Sequence, residues 1–156
     1  MLAAPTDASR LGEAMHWLLE NTADSPAGWR PERLTQARER FGLSAEHTAR
    51  ADALARRIFT GEAAWAWSAD ELMEAFNEVE LTYQGQRLRI DRLVRRRASA
   101  SEPEAWWVLD YKSAAHPERD PLLQAQMARY RAAVELLHPG HTVRVAFLTG
   151  EGRLIG

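Results

Sequence analysis

Two aspartates and a lysine carry the chemistry to be expected of this chain. Asp91 closes the apolar step Ile90-Asp91, Asp110 closes Val108-Leu109-Asp110, and Lys112 follows two residues later. Two carboxylates on neighbouring strands can hold a divalent cation, and a lysine beside them can orient a water or neutralise charge growing on a phosphoryl oxygen. The set suits metal-assisted phosphodiester cleavage. Strand alternation puts Trp106, Val108, Asp110 and Lys112 on one face, and Trp107, Leu109 and Tyr111 on the other. Asp110 and Lys112 are then same-face neighbours about 7 Å apart. An acid and a lysine on a central strand are costly when buried without partners, and a cation with a phosphate removes that cost. Taken alone, Asp-x-Lys is also the pattern of a plain salt bridge on an exposed strand.

Around the first aspartate lies a basic stripe: Arg87, Arg89, Arg92, Arg95, Arg96 and Arg97. Arg89, Arg92 and Arg95 are the candidates to track a nucleic-acid backbone. A solvated strand edge reads the same way. The formal net charge of -2 and the pI of about 6.2 give the whole chain no bias toward polyanions.

The elements that must position these groups follow from periodicity. A loose lead-in covers residues 1 to 8. A helix over roughly 9 to 22, capped by Asp7 or Ser9, buries Leu11, Ala14, Met15, Leu18 and Leu19. Gly12 and His16 sit one turn apart at the edge of that face. The glycine leaves room for something to approach the backbone beside the histidine, which alone reads as a half-buried structural residue. Residues 21 to 28 form a polar turn. Pro31 opens a second helix to about Phe41, and Ser44 starts a third over Ala45 to about Thr60. A short helix after Ser68, with Leu72 and Met73, completes a helical insertion over 29–75. Trp65 and Trp67 within it read as core fillers rather than base-stacking residues.

From Asn77 the period turns to two. The spacing predicts strands over 78–83, 87–96 and 105–112, an antiparallel meander. A helix over 121–137 follows, with an inward arc of Leu122, Gln126, Tyr130, Ala133, Val134 and Leu137. A strand over 142–148 then joins the sheet beside the third. The fold class is α/β: a central mixed sheet with a three-stranded meander flanked by helices. A length of 156 residues suits one domain. The ending just after an apolar pair suggests a piece of a longer protein. The absence of cysteine excludes disulfides, zinc-thiolate sites and iron–sulfur clusters. There is no membrane-length apolar run and no signal-peptide pattern, so the expected location is cytoplasmic.

The motifs occur in a telling order: Gly12-x-x-x-His16-x-x-Leu19-Glu20, Glu78-Val79-Glu80-Leu81, Arg89-Ile90-Asp91-Arg92-Leu93, Asp110-Tyr111-Lys112 and Gln126-x-x-x-Tyr130. The series resembles the RecB/AddA-type nuclease domain of the PD-(D/E)XK superfamily, the C-terminal domain of UvrD-like helicase-nucleases that process DNA ends. No motif is specific alone; the order and spacing carry the likeness, over about residues 9 to 155. The resemblance implies a restriction-endonuclease-like core and a Mg²⁺- or Mn²⁺-dependent DNA nuclease, exonucleolytic, serving recombinational repair near the nucleoid. It implies His16, Asp91, Asp110 and the Tyr111 backbone carbonyl as metal ligands and Lys112 as the catalytic lysine. Glu78 becomes an acid near the site, and Gln126 and Tyr130 a pair associated with the active site and DNA. The partners implied are single-stranded or duplex DNA ends and a helicase motor in cis, with a partner subunit possible in such systems. The iron–sulfur cysteines of some relatives are absent, and no GxxxxGKS or GxxxxGKT phosphate loop offers an ATP site. A stand-alone nuclease, a DNA-end-binding module without cleavage and an α/β interaction domain are the competing readings.

Overall fold

The computed structural model describes residues 6–20 and 27–156. The lead-in before Thr6 and most of the expected 21–28 turn lie outside them. Four helices, α1 (Asp7–Glu20), α2 (Pro31–Phe41), α3 (Ala45–Thr60) and α4 (Pro121–Leu137), surround five strands: β1 (Leu72–Tyr83), β2 (Gln86–Arg96), β3 (Ala105–Lys112), β4 (Val143–Thr149) and β5 (Leu154–Ile155). The sheet runs β1-β2-β3-β4-β5. Only β3 and β4 pair in parallel; the other neighbours are antiparallel. A parallel pair needs a crossover, and α4 supplies it. This is the expected mixed α/β core, consistent with a restriction-endonuclease-like fold. No helix among the described residues is long and apolar enough to cross a membrane.

Two cores sandwich the sheet. On one face α1 to α3 pack with Trp107, Leu109 and Tyr111; on the other α4 packs with Trp106 and Val108. β3 therefore needs apolar groups on both sides, which makes it a continuous apolar run rather than an alternating one. Fully burying Val108 or Leu109 contributes roughly 1.5–3 kcal/mol each.

Several local expectations shift. The cap of α1 is Thr6, whose hydroxyl accepts from the Ser9 amide at 3.1 Å while Ser9 Oγ accepts from the Thr6 amide at 3.0 Å. Ser44 caps α3 by accepting from His47 N–H at 3.0 Å, as expected. The short helix after Ser68 does not form. A single 3₁₀ turn covers Ala64–Trp67, and Leu72 already belongs to β1, opposite Arg96. The helix propensity of ELMEAF is overridden by the partner strand, so the helical region ends at Trp67 rather than near 75. On α4 the buried positions are Met127, Tyr130, Ala133 and Val134, whereas Leu122 and Leu137 are exposed. Tyr130, Ala133 and Val134 face inward as expected, and Met127 is buried where Gln126 was expected. Trp65 and Trp67 pack on the core, against Trp107 and Tyr111, as expected. Gly61 makes a close approach. A Cβ there would meet Gly152 O at 2.3 Å, and this contact seats the end of α3 on the turn between β4 and β5.

Candidate active site

The site forms where β2 and β3 part. Their ladder ends at Arg92↔Leu109. Beyond it the Tyr111 amide has no β2 carbonyl, and the Asp91 side chain takes its place: Asp91 Oδ2 accepts Tyr111 N–H at 2.8 Å. Strand alternation also breaks here. Asp91 reaches His16 of α1, and the adjacent Arg92 reaches Ala66 on the same layer. The facing position on β1 is Glu78, between the pairs Asn77↔Arg92 and Val79↔Ile90, and its φ of 52° lies in the left-handed region. A non-glycine residue there stores of order 1 kcal/mol or more, a strain typical of functional sites.

His16 bridges to Asp91. Its Nδ1 donates to Gly12 O at 2.8 Å and its Nε2 donates to Asp91 Oδ2 at 3.2 Å. With acceptors at both nitrogens, the ring is held as imidazolium. Burial opposes that charge, but the Asp91 hydrogen bond and charge and the Gly12 carbonyl outweigh it and raise the pKa to about 9. For Asp91, burial alone would raise the pKa; the His16 bond and charge and the Tyr111 amide hold it below its ordinary value instead. No described side chain fills the space over Gly12. That space belongs to a cleft of about 580 Å³ bounded by His16, Glu20, Arg40, Glu78 and Asp91.

Asp110 is the costly member. It is 4% exposed. Burial first, then the neighbouring Asp91 carboxylate, push its pKa to about 7, against the pull of Lys112. Lys112 Nζ lies 3.1 Å from Asp110 Oδ2, but off line for a hydrogen bond, and that oxygen has no hydrogen-bond partner. Tyr130 approaches from α4, and burial together with the Asp110 and Asp91 charges raises its phenol to about 12. Gln126, one turn before it, has a buried Oε1 without a hydrogen-bond partner.

The expected residues therefore separate. His16, Asp91, Asp110, Lys112, Tyr111 and Tyr130 come together. Tyr111 contributes its amide to Asp91, and its phenol is fully buried beneath Trp67. Glu78 stands at the cleft wall, paired with Arg89. Arg92 faces inward: its guanidinium donates to Ala66 O at 3.0 and 2.8 Å and to Asn77 Oδ1 at 2.6 Å. Arg95 lies toward the far end of β2, bonded to Glu104 at 2.6 Å. One group lacked any assigned role in the sequence. Glu20, at the end of α1, meets Glu78, and burial followed by that carboxylate raises its pKa to about 7. Its signal was its place in the Gly12–Glu20 motif.

A divalent cation fits this chemistry. The donors are hard carboxylate oxygens and an imidazole, and Asp110 presents a buried oxygen without a hydrogen-bond partner. Among the described residues no three His, Asp or Glu side chains stand ready-arranged around one ion. His16 is bonded to Asp91 instead, and Lys112 leans on Asp110. A cation would replace those internal contacts and displace protons.

This gives a pH dependence. Ionising buried Asp110 destabilises the fold as pH rises from 3.8 through about 7. The stabilisation from protonated His16 is complete below 6.5 and is lost as pH rises through about 9. Both slopes have one sign. Without a cation, Tm should fall as pH rises across that range; with saturating Mn²⁺ the gain in Tm over an EDTA sample should widen. A gain independent of pH contradicts proton displacement from these two groups.

The chain matches the PD-(D/E)XK nuclease superfamily over residues 2–151. No curated protein and no solved structure matched it significantly.

Proposed function

Because this chain belongs to the PD-(D/E)XK nuclease superfamily, we propose that it is a divalent-cation-dependent DNA nuclease domain that works from strand ends. The observation that carries this reading is Asp110. A carboxylate is retained in a buried position beside a second carboxylate, at a cost to the fold, with one oxygen lacking a hydrogen bond. Such an arrangement is explained by a function that uses the charge.

His16, Asp91 and Asp110 would hold Mg²⁺ or Mn²⁺, with the Tyr111 carbonyl at the strand end as a further oxygen. The cation supplies Lewis-acid polarisation of the phosphate and an acidified water. Asp91 positions the centre by tying α1 to β3 through His16 and the Tyr111 amide. Lys112 places a positive charge beside Asp110, where it can hold the attacking water or stabilise charge on the phosphoryl oxygens. Tyr130 closes the α4 side against bulk water, and Gln126 offers its amide to the substrate strand. Glu78 holds Arg89 at the cleft wall. Exonucleolytic action, a role in recombinational repair and a helicase motor in cis are supported by the likeness of the motif series to RecB/AddA-type domains.

End-labelled linear DNA and covalently closed circular DNA, incubated with Mg²⁺, Mn²⁺ or EDTA, test the reading. Linear DNA should be degraded with either cation, while the circle and the EDTA samples stay intact. Binding of linear DNA without cleavage under either cation contradicts it and favours a DNA-end-binding module.

A further inference from the structure

Four of the six arginines from 87 to 97 are engaged, leaving Arg87 and Arg97 exposed. Arg89 pairs with Glu78, Arg92 is buried, Arg95 bonds Glu104, and Arg96 bonds Glu71. Further positive charge without an ion pair lies on the α1–α2 wall of the cleft. Trp17 follows His16 on α1, and Phe41 ends α2. Their rings meet edge to face at 6.3 Å, and both line the cleft together with Arg40. Arg33 sits over the Trp17 ring at 5.5 Å and Arg40 over the Phe41 ring at 5.7 Å. Among the described residues neither arginine has an acidic partner; the Arg33 guanidinium donates to Gln36. Trp29 and Phe59, which do serve the core, are buried to 5% and 8% exposure, whereas Trp17 and Phe41 remain half-buried at its margin.

The geometry points to a subsite for a single-stranded stretch of nucleic acid on this wall: a base stacks on the Trp17–Phe41 pair while Arg40 and Arg33 hold the flanking phosphates. Alternating aromatic faces and guanidinium groups are the chemistry of single-strand binding, because an unpaired base exposes the face that stacking needs and a duplex hides it. The acids lining the cleft, Glu13, Glu20, Glu78 and Asp91, repel phosphate. The backbone is therefore drawn to the arginine-bearing wall, and a phosphate further along the strand is placed at His16 and Asp91, which line the same cleft. The subsite rests on the nuclease reading for the position of that phosphate, but its binding is measurable without cleavage.

Fluorescence anisotropy of labelled oligo-dT, read in Mg²⁺ on a Lys112→Ala background, tests it. Trp17→Ala should weaken single-strand binding by about 5- to 150-fold, and Trp17→Phe should recover most of that loss. Blunt duplex binding should change far less. Arg40→Ala should weaken binding and reduce the salt slope by about 0.7, the value for one phosphate contact on a single strand. Arg40 lies on the surface, so this variant keeps the test valid where Trp17→Ala fails to fold. Arg131→Glu, on the outer side of α4, serves as the charge control. An Arg40→Ala affinity and salt slope equal to those of the parent overturn the subsite, even where the wild type cleaves. A wild type that never cleaves, yet loses oligo-dT binding in both variants, overturns the nuclease reading and leaves the subsite standing.

Discussion

Replacing Lys112 by alanine should lower kcat for DNA cleavage by about 10²–10⁴-fold, the range for losing one positioned proton-transfer or charge-stabilising group. Stability should change little. Lys112 is partly exposed, and Asp110, whose pKa is already about 7, can take up a proton when the ammonium leaves. Lys112→Arg should not restore the rate, because a planar fork cannot stand where a compact ammonium fits between a carboxylate and a phosphate. Single-turnover rates and thermal melts on the same preparations check both halves. A loss of rate matched by a loss of fold would instead make Lys112 a structural partner of Asp110.

Asp91→Ala should remove activity and also destabilise the protein by about 3–5 kcal/mol, the cost of breaking one side of a buried, hydrogen-bonded charge pair. The substitution leaves the His16 imidazolium without its counter-ion and the Tyr111 amide without an acceptor. Asp110→Asn should act oppositely on the fold. It also removes activity, but it relieves a buried carboxylate of its repulsion with Asp91, so the cation-free protein should be more stable than the wild type near pH 8. Denaturant midpoints in EDTA separate the two. Equal destabilisation by both variants would mean that Asp110 is held by contacts other than those described.

Much of the fold was legible because its signals were local. β3 and α4 fall where periodicity placed them, since a doubly covered strand must be an unbroken apolar run and Pro121 and His138-Pro139-Gly140 bracket the helix. The start of β1 was not legible: residues 72–76 favour a helix until β2 pairs with them. The candidate site residues were legible as types at a spacing. Their arrangement was not. The break in alternation at Asp91 and Arg92 lies opposite Glu78 across the ladder, and the Glu20–Glu78 contact joins residues far apart in the chain. The pairing within the arginine stripe was not legible for the same reason, because its acids come from β1 (Glu74, Glu78) and from just before β1 and β3 (Glu71, Glu104).

The most direct test of the proposed centre is Mn²⁺ binding followed by electron paramagnetic resonance, with wild type, Asp110→Asn and His16→Ala measured side by side at pH 8. The wild type should bind Mn²⁺ at a site that Asp110→Asn abolishes and His16→Ala weakens by about 10- to 100-fold, with cleavage following occupancy of that site. Mn²⁺ binding unchanged by both substitutions, with DNA cleavage undiminished in EDTA, would contradict it.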